Sequence, residues 1–166
     1  TTINSYGNSE INIRTIRSVV NRSNVNLNDN SKLNFDKATI GIYNGSYVNI
    51  NDNSEINATV NMFFYDHMET TVNINSLSAK LNVKSNNMFR GGTSVLNMKK
   101  GCTYSLNGNL YKAETDISGP TVSKQNTPPA GVVKVDGVKV DLPKTLDWLK
   151  KEDENRTFDY DYVSLN

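Results

Sequence analysis

The sequence predicts an all-β fold, a parallel β-helix, and three observations support this. A phrase of the form Val-Asn-Ile/Leu-Asn recurs, its copies beginning at Asn24, Tyr47 and Thr71, about 23 residues apart. Apolar and polar residues alternate within each copy, which is the period of a strand with one buried face. Between the strands lies a turn of Asp-Asn-Ser type, whose side chains bond their own backbone and tolerate left-handed dihedral angles. A fixed period of this length indicates stacked units in which equal positions form columns.

The copies align on an aliphatic residue followed by Asn, which occurs at Ile11, Leu33, Ile56 and Leu81. The residue before each aliphatic position alternates in charge along the series Glu10, Lys32, Glu55, Lys80. Neighbouring strands lie about 4.8 Å apart, so like charges in one column would repel, whereas opposite charges contribute about 0.2–1 kcal/mol per pair. We therefore predict that these four residues form a structural charge ladder.

Each copy reads as two or three short strands. In the copy that begins at Tyr47, Val48 and Ile50 alternate with Asn, the turn 52–54 follows, and a second alternating stretch runs to Phe63-Phe64-Tyr65. Aliphatic side chains are expected inside and Asn columns outside, hydrogen-bonded along the stack. The alternative is a meander of antiparallel hairpins with Asn-rich turns, which lack the Asn-Gly or Asp-Gly signature. The near-constant period favours the β-helix.

Three regions are predicted along the chain. Residues 1–109 form the repetitive β-helix, and residues 110–131 are a linker rich in Pro, Ser and Gly. Residues 132–166 form a small C-terminal α+β unit: a hairpin across Asp136-Gly137, a short helix opened by Pro143, and a final strand. Such a small unit holds little core alone, so Trp148 is predicted to be its packing anchor. Because the chain begins in mid-repeat, we expect the solenoid to continue upstream.

The composition argues against several classes of function. With 18 basic and 17 acidic residues among 166, the net charge of +1 lacks the basic footprint of a nucleic-acid partner. The one cysteine, Cys102, is predicted to be a buried thiol without a disulfide. No apolar run is long enough to span a membrane. No cofactor or metal site is predicted, since no metal-ligand spacing or phosphate loop occurs.

Carboxylates are the candidates for catalysis. Polysaccharide cleavage on a β-helix would require two carboxylates converging in one groove. The candidates are Asp29, Asp52 and the cluster Asp66–Glu69. Asp29 and Asp52 occupy the same turn position, which explains both residues without chemistry. No catalytic residue is assigned, and enzymatic activity is disfavoured but left open.

Carbohydrate binding is the other candidate chemistry. Aromatic faces and Asn side chains suit sugar rings, and the candidate glycan contacts are Tyr43, Tyr47, Tyr65, Asp66 and His67. The alternative is that the tyrosines only edge the sheets while Phe63 and Phe64 fill the core.

The array over residues 1–109 resembles the β-helical shafts of phage tail fibres and tailspikes, and the solenoid stalks of bacterial surface adhesins. The resemblance rests on the repeated pattern alone, as in residues 48–57. It implies a stiff homotrimeric appendage of a virion tail or cell surface, joined to other fibre proteins and meeting cell-surface polysaccharide. The expected function is therefore structural host attachment. The alternatives are a polysaccharide-degrading β-helix enzyme, an adhesin, and a self-polymerising filament protein.

Overall fold

The computed structural model describes residues 1–14, 17–65, 68–90, 93–121 and 124–142. Within these residues the chain is all-β, forming a solenoid of about 4 turns with coils of about 23 residues. The strands are β1 Thr2–Ser5, β2 Glu10–Arg14, β3 Ser18–Asn21, β4 Asn24–Leu27, β5 Lys32–Tyr43, β6 Tyr47–Ile50, β7 Glu55–Tyr65, β8 Thr70–Ile74, β9 Lys80–Asn87, β10 Ser94–Met98, β11 Thr103–Leu106, β12 Asn109–Ala113 and β13 Val132–Lys139.

Two sheets face each other across the core. The first contains β1-β4-β6-β8-β10, and the second contains β2-β5-β7-β9-β11-β12-β13, with β3 also pairing with β5. Consecutive coils pair in parallel, and Leu33 is the Cα partner of both Ile11 and Ile56. The predicted parallel β-helix and its repeat alignment are thereby confirmed. The meander of antiparallel hairpins is wrong for the array.

The turn between the two sheets repeats from coil to coil. Asp29 and Asp52 adopt positive φ angles of 58° and 53°, and Gly7 holds the equivalent place with 66°. Asx residues and glycine tolerate this left-handed backbone better than others. The following serines, Ser31 and Ser54, are buried, and their N–H groups close the turn onto the carbonyl three residues earlier.

The core between the sheets is thin and apolar. Val48, Ile50 and Ile56 are completely buried, as the alternation predicts. Towards the C-terminal end the core becomes aromatic, with ring centroids 5.8 Å apart for Phe64–Phe89 and 6.4 Å apart for Phe89–Tyr104. A few large side chains per coil fill a core this narrow, which explains why a chain of low apolar content folds.

Asparagine ladders run along both sheets. In the first sheet each side-chain Nδ2 donates to the Oδ1 of the asparagine one coil nearer the N-terminus, at 2.7 to 2.8 Å, through Asn4, Asn26, Asn49, Asn73 and Asn97. The second sheet repeats this at 2.8 to 2.9 Å through Asn12, Asn34, Asn57 and Asn82. Both ladders therefore have the same direction of donation.

The predicted hairpin across Asp136-Gly137 is wrong. Residues 132–139 form the single strand β13, which pairs antiparallel with β12 and passes Gly137 (φ 71°) as an irregularity in the register. This segment pairs with β12 rather than with itself because β12 offers an open edge. The residues of β13 in excess of those of β12 are accommodated as in a β-bulge. The hairpin that does form joins β11 to β12 at Asn107-Gly108. The predicted helix, final strand and Trp148 lie outside the described residues.

Residues 110–131, predicted as a linker, lie against the end of the solenoid where the structure describes them. Residues 114–121, here called the strap, run along β10. Ile117 exchanges backbone hydrogen bonds with Met98, and the Thr121 N–H donates to the Ser94 carbonyl at 2.6 Å. Together the strap, β12 and β13 cover the C-terminal ends of both sheets.

Candidate functional site

Three of the candidate glycan contacts, Tyr43, Tyr47 and Tyr65, lie at strand ends on one corner of the solenoid. Here a strand of the second sheet ends and the next strand of the first sheet begins, as between Tyr43 and Tyr47. Arg22 and Asn44 occupy equal places in successive coils, because Asn21 and Tyr43 are Cα partners, and both have positive φ angles of 49° and 62°. The corner thus turns sharply, and the buried Asn44 donates from its side-chain Nδ2 to Asn21 Oδ1 in the preceding coil at 3.2 Å.

Serine hydroxyls fix the shape of this corner. The buried Ser46 donates from Oγ to the Tyr43 carbonyl at 2.6 Å, and it accepts from the Ser23 N–H at 3.4 Å. In the following coil the Thr70 Oγ1 donates to the Met68 carbonyl at 3.1 Å. These hydroxyl bonds therefore fix the backbone of the corner in successive coils.

The corner contains a surface groove, here called the corner groove, that spans three coils. It is lined by Thr1, Thr2, Arg22, Asn24, Asn44, Gly45 and Met68. Hydroxyl and amide groups provide donors and acceptors, the guanidinium of Arg22 provides a cation, and the exposed Met68 provides an apolar surface. Such a mixture can hold a polar ligand with apolar faces.

The structure brings two of the predicted glycan contacts together. The rings of Tyr43 and Tyr65 lie edge to face with centroids 5.2 Å apart. The Arg90 guanidinium carbon lies 4.5 Å above the Tyr65 ring, a cation–π arrangement. Tyr47 is 45% exposed and is the Cα partner of Asn24 in the groove. Asp66 and His67 lie outside the described residues.

Two of the candidate catalytic carboxylates, Asp29 and Asp52, lie at the other turn, whereas Glu69 directly follows Met68 of the corner groove. Asp29 accepts from the Gly7 N–H at 2.8 Å, and Asp52 accepts from the Asp29 N–H at 3.0 Å, so each carboxylate bonds the turn of the preceding coil. Within the described part of the chain, no group of three or more His, Cys, Asp and Glu could hold a metal. Cys102 is completely buried, and this burial raises the pKa of its thiol.

The predicted charge ladder is one column of the second sheet. Lys32 is the Cα partner of both Glu10 and Glu55, and Glu55 is the partner of Lys80. The Lys32 Nζ lies 3.8 Å from the Glu55 carboxylate. The glutamates also accept hydrogen bonds from the neighbouring asparagine ladder, at 2.7 Å from Asn34 to Glu10 and 2.9 Å from Asn82 to Glu55.

Sequence reasoning did not single out Arg22, Met68 or Arg90 as members of this corner. Arg22 was detectable, because it follows Asn21 as Asn44 follows Tyr43, which places both in one column. Arg90 was not detectable from the sequence, because its approach to Tyr65 depends on the bend of the chain after β9.

No protein-family model, no curated protein and no solved structure matches this chain. The described part of the chain contains no helix that is long and apolar enough to cross a membrane.

Proposed function

We propose that this chain is a structural, host-attachment component of a phage tail fibre or baseplate, a rigid β-helical shaft that contacts cell-surface glycans at its corner groove. The observation that carries the proposal is the continuity of the asparagine ladders, which run from Asn4 to Asn97 in the first sheet and from Asn12 to Asn82 in the second. Each coil is thus tied to the next by side chains as well as by backbone, and bending would break both sets of bonds. Stiffness of this kind serves a shaft.

The corner groove supports the attachment part of the proposal. Its amides and hydroxyls match the donors and acceptors of a sugar, and Tyr47 presents an aromatic face beside it. A virion tail or an extracellular surface is the corresponding location. The strap and β13 weigh against the self-polymerising filament, because they cover the end through which coils would stack head to tail.

Glycan binding is tested with purified bacterial surface polysaccharides and the chain of residues 1–166. Tyr47→Ala and Arg22→Asn should each weaken binding about tenfold, the loss of about 1.4 kcal/mol. Asparagine is chosen for Arg22 because Asn44 adopts the same backbone conformation one coil further on. The matched control is Tyr6→Ala, since Tyr6 is an exposed tyrosine at the turn between the sheets.

The outcomes separate the alternatives. If both groove variants lose binding and Tyr6→Ala retains it, attachment through the groove is supported. Binding unchanged in all three variants, or absent for every polysaccharide, contradicts it. New reducing ends in the same mixtures would instead favour the polysaccharide-degrading enzyme.

The homotrimer that the resemblance implies is tested by light scattering coupled to size exclusion. A mass near three times 18.5 kDa is expected for a fibre shaft. A stable monomer would favour an adhesin stalk or enzyme solenoid, and an open distribution of sizes would favour the filament.

A further inference from the structure

Two arginines flank the tyrosine pair, Tyr43 and Tyr65, at the corner of the solenoid. Asn21, Tyr43 and Tyr65 are Cα partners in successive coils, and Arg22 directly follows Asn21. At the other end of this column the Arg90 guanidinium carbon lies 4.5 Å above the Tyr65 ring. Asn21 and Tyr65 are two coils apart, which is about 10 Å at the spacing of neighbouring strands. In coil order, two aromatic rings thus lie between two cations.

Arg90 is positioned by an aromatic ring and a sulfur atom rather than by a carboxylate. Its guanidinium stacks on Tyr65, and its Nη1 donates to Met62 Sδ at 3.3 Å, which is a weak acceptor. Arg90 is exposed, and none of the described carboxylates pairs with it. A guanidinium carries five N–H donors in a planar fork that matches a carboxylate or a phosphate with two parallel hydrogen bonds. Arg90 therefore presents unused donors in an orientation that Tyr65 and Met62 set.

Arg22 provides the second cation, and the turn that holds it does not require an arginine. Its φ angle of 49° is left-handed, a conformation in which asparagine is much commoner than arginine. The next coil has Asn44 at the equivalent place, with a φ angle of 62°. Arg22 is exposed and lines the corner groove, and it pairs with no carboxylate in the part of the chain that the structure describes. An anionic ligand would explain this residue, whereas the backbone does not.

We propose that this corner binds an anionic polysaccharide, whose sugar rings pack beside the tyrosine pair and whose carboxylate or phosphate groups bind Arg22 and Arg90. The inference rests on the proposed glycan contact and specifies the class of its ligand. A polymer laid along the solenoid axis reaches both cations, because they lie in one corner at different coils. A neutral polysaccharide would leave both guanidinium groups without the charged partner that strengthens their hydrogen bonds.

The charge requirement is tested with pairs of polymers that differ only in charge. Polygalacturonate carries one carboxylate on each sugar ring, and its neutral match is the same polymer with the carboxyl groups reduced to primary alcohols. Dextran phosphate and dextran form the second pair, so that carboxylate and phosphate recognition are distinguished. Binding to the chain of residues 1–166 is measured by titration calorimetry. We expect at least one anionic polymer to bind about tenfold or more tightly than its neutral match, and to lose most of this advantage in about 0.5 M salt, which screens exposed charges.

Variants locate the charge effect at this corner. Arg22→Asn and Arg90→Gln should each weaken binding of the anionic polymer about tenfold, and the double variant about a hundredfold, because sites this far apart act additively in free energy. The matched control is Lys100→Gln, which removes one exposed cation at the turn between β10 and β11 and should bind normally. Glu69→Gln should instead strengthen binding about twofold, since Glu69 is exposed and follows Met68 of the corner groove.

Arg90→Lys separates a specific contact from general attraction. Lysine keeps the charge but has no planar fork and stacks less well on an aromatic ring. We expect its affinity for the anionic polymer to lie between those of the wild type and Arg90→Gln, with the affinity for the neutral match unchanged in all three proteins.

The inference is overturned if neither anionic polymer binds more tightly than its neutral match, or if Arg22→Asn and Arg90→Gln bind the anionic polymers as well as Lys100→Gln does. Neutral polymers that bind equally well, and that Tyr47→Ala no longer binds, would leave glycan attachment in place and reject only its anionic class. If none of these polymers and none of the bacterial surface polysaccharides binds, the proposed attachment function fails as well.

Discussion

Each interior asparagine of the ladders is both a donor and an acceptor. Asn57 donates to Asn34 and accepts from Asn82, both at 2.9 Å, and is only 7% exposed. A buried amide is stable only when its hydrogen bonds are made. Because the repeat places an identical side chain above and below it, the stack satisfies each amide with its own neighbours. At the level of residues, the repetition of the sequence is therefore a means of satisfying buried polar groups.

Tyr104 is one of the described residues that depart from this rule. It is 1% exposed, its ring stacks on Tyr111 at 5.1 Å, and no described residue accepts from its hydroxyl. Burial raises the pKa of the Tyr104 phenol, with the neighbouring Tyr111 adding to the effect. Removing an unsatisfied buried hydroxyl should stabilise, so Tyr104→Phe is expected to raise the free energy of unfolding by about 1 kcal/mol at neutral pH.

The same residue makes stability depend on pH. A tyrosine in the unfolded chain loses its proton near pH 10, whereas Tyr104 in the folded chain keeps it. The free energy of unfolding is therefore unaffected by this group below about pH 10 and declines above it. Urea titrations of the wild type should show this decline, at most about 1.4 kcal/mol per pH unit from this group, and Tyr104→Phe should lack it. Tyr6→Phe, at an exposed tyrosine, serves as the control. An identical alkaline slope in wild type and Tyr104→Phe would contradict the assignment.

At the scale of elements, the strands and turns of the repeat were predictable because each is determined locally. Val48 and Ile50 alternate with asparagine, and Asp52 favours the left-handed turn, so strand and turn positions follow from neighbouring residues alone. The charge column was predictable from the same alignment, because coils of nearly equal length place equivalent positions of the repeat opposite each other.

The cap and the corner groove were less accessible to sequence reasoning. Asp136-Gly137 carries a strong hairpin signal, yet β13 pairs with β12 because that edge is available, which no local pattern reveals. The Pro- and Gly-rich composition of the strap similarly hides its pairing with β10. The corner groove combines residues from three coils, and the coil after β9 brings Arg90 to Tyr65 through a bend that the period does not specify.

The strap is expected to be held mainly by Thr121. This residue is 3% exposed, and its Oγ1 accepts from the buried Leu96 N–H at 3.1 Å. Thr121→Val keeps the shape but leaves that N–H without an acceptor, so we expect the free energy of unfolding to fall by about 1–3 kcal/mol. Thr127→Val, at an exposed threonine beyond the strap, should change it by less than about 0.5 kcal/mol. Equal losses in urea unfolding of the two variants would refute this role.

On the scale of the whole molecule, the solenoid is a one-dimensional stack in which each coil contacts only its neighbours. In the chain of residues 1–166, the coils of β4–β7 are covered on both sides, whereas β1 and β2 have a neighbour on one side. Stability should therefore be graded along the axis rather than uniform.

Amide hydrogen exchange measures this gradient directly. We expect the amides of β6 and β7 to exchange only through global unfolding, because opening them separates coils on both faces. The amides of β1 and β2 should exchange through local fraying, at a free energy lower by about 1 kcal/mol or more, since fraying breaks one interface and few buried contacts. In Thr121→Val the loss of protection from exchange should be largest in β10 and the strap. The amides of β7 should remain better protected than those of β1. Equal protection in β1 and β7 would mean that the coils unfold as one unit, and that the open N-terminal edge is as stable as the covered interior.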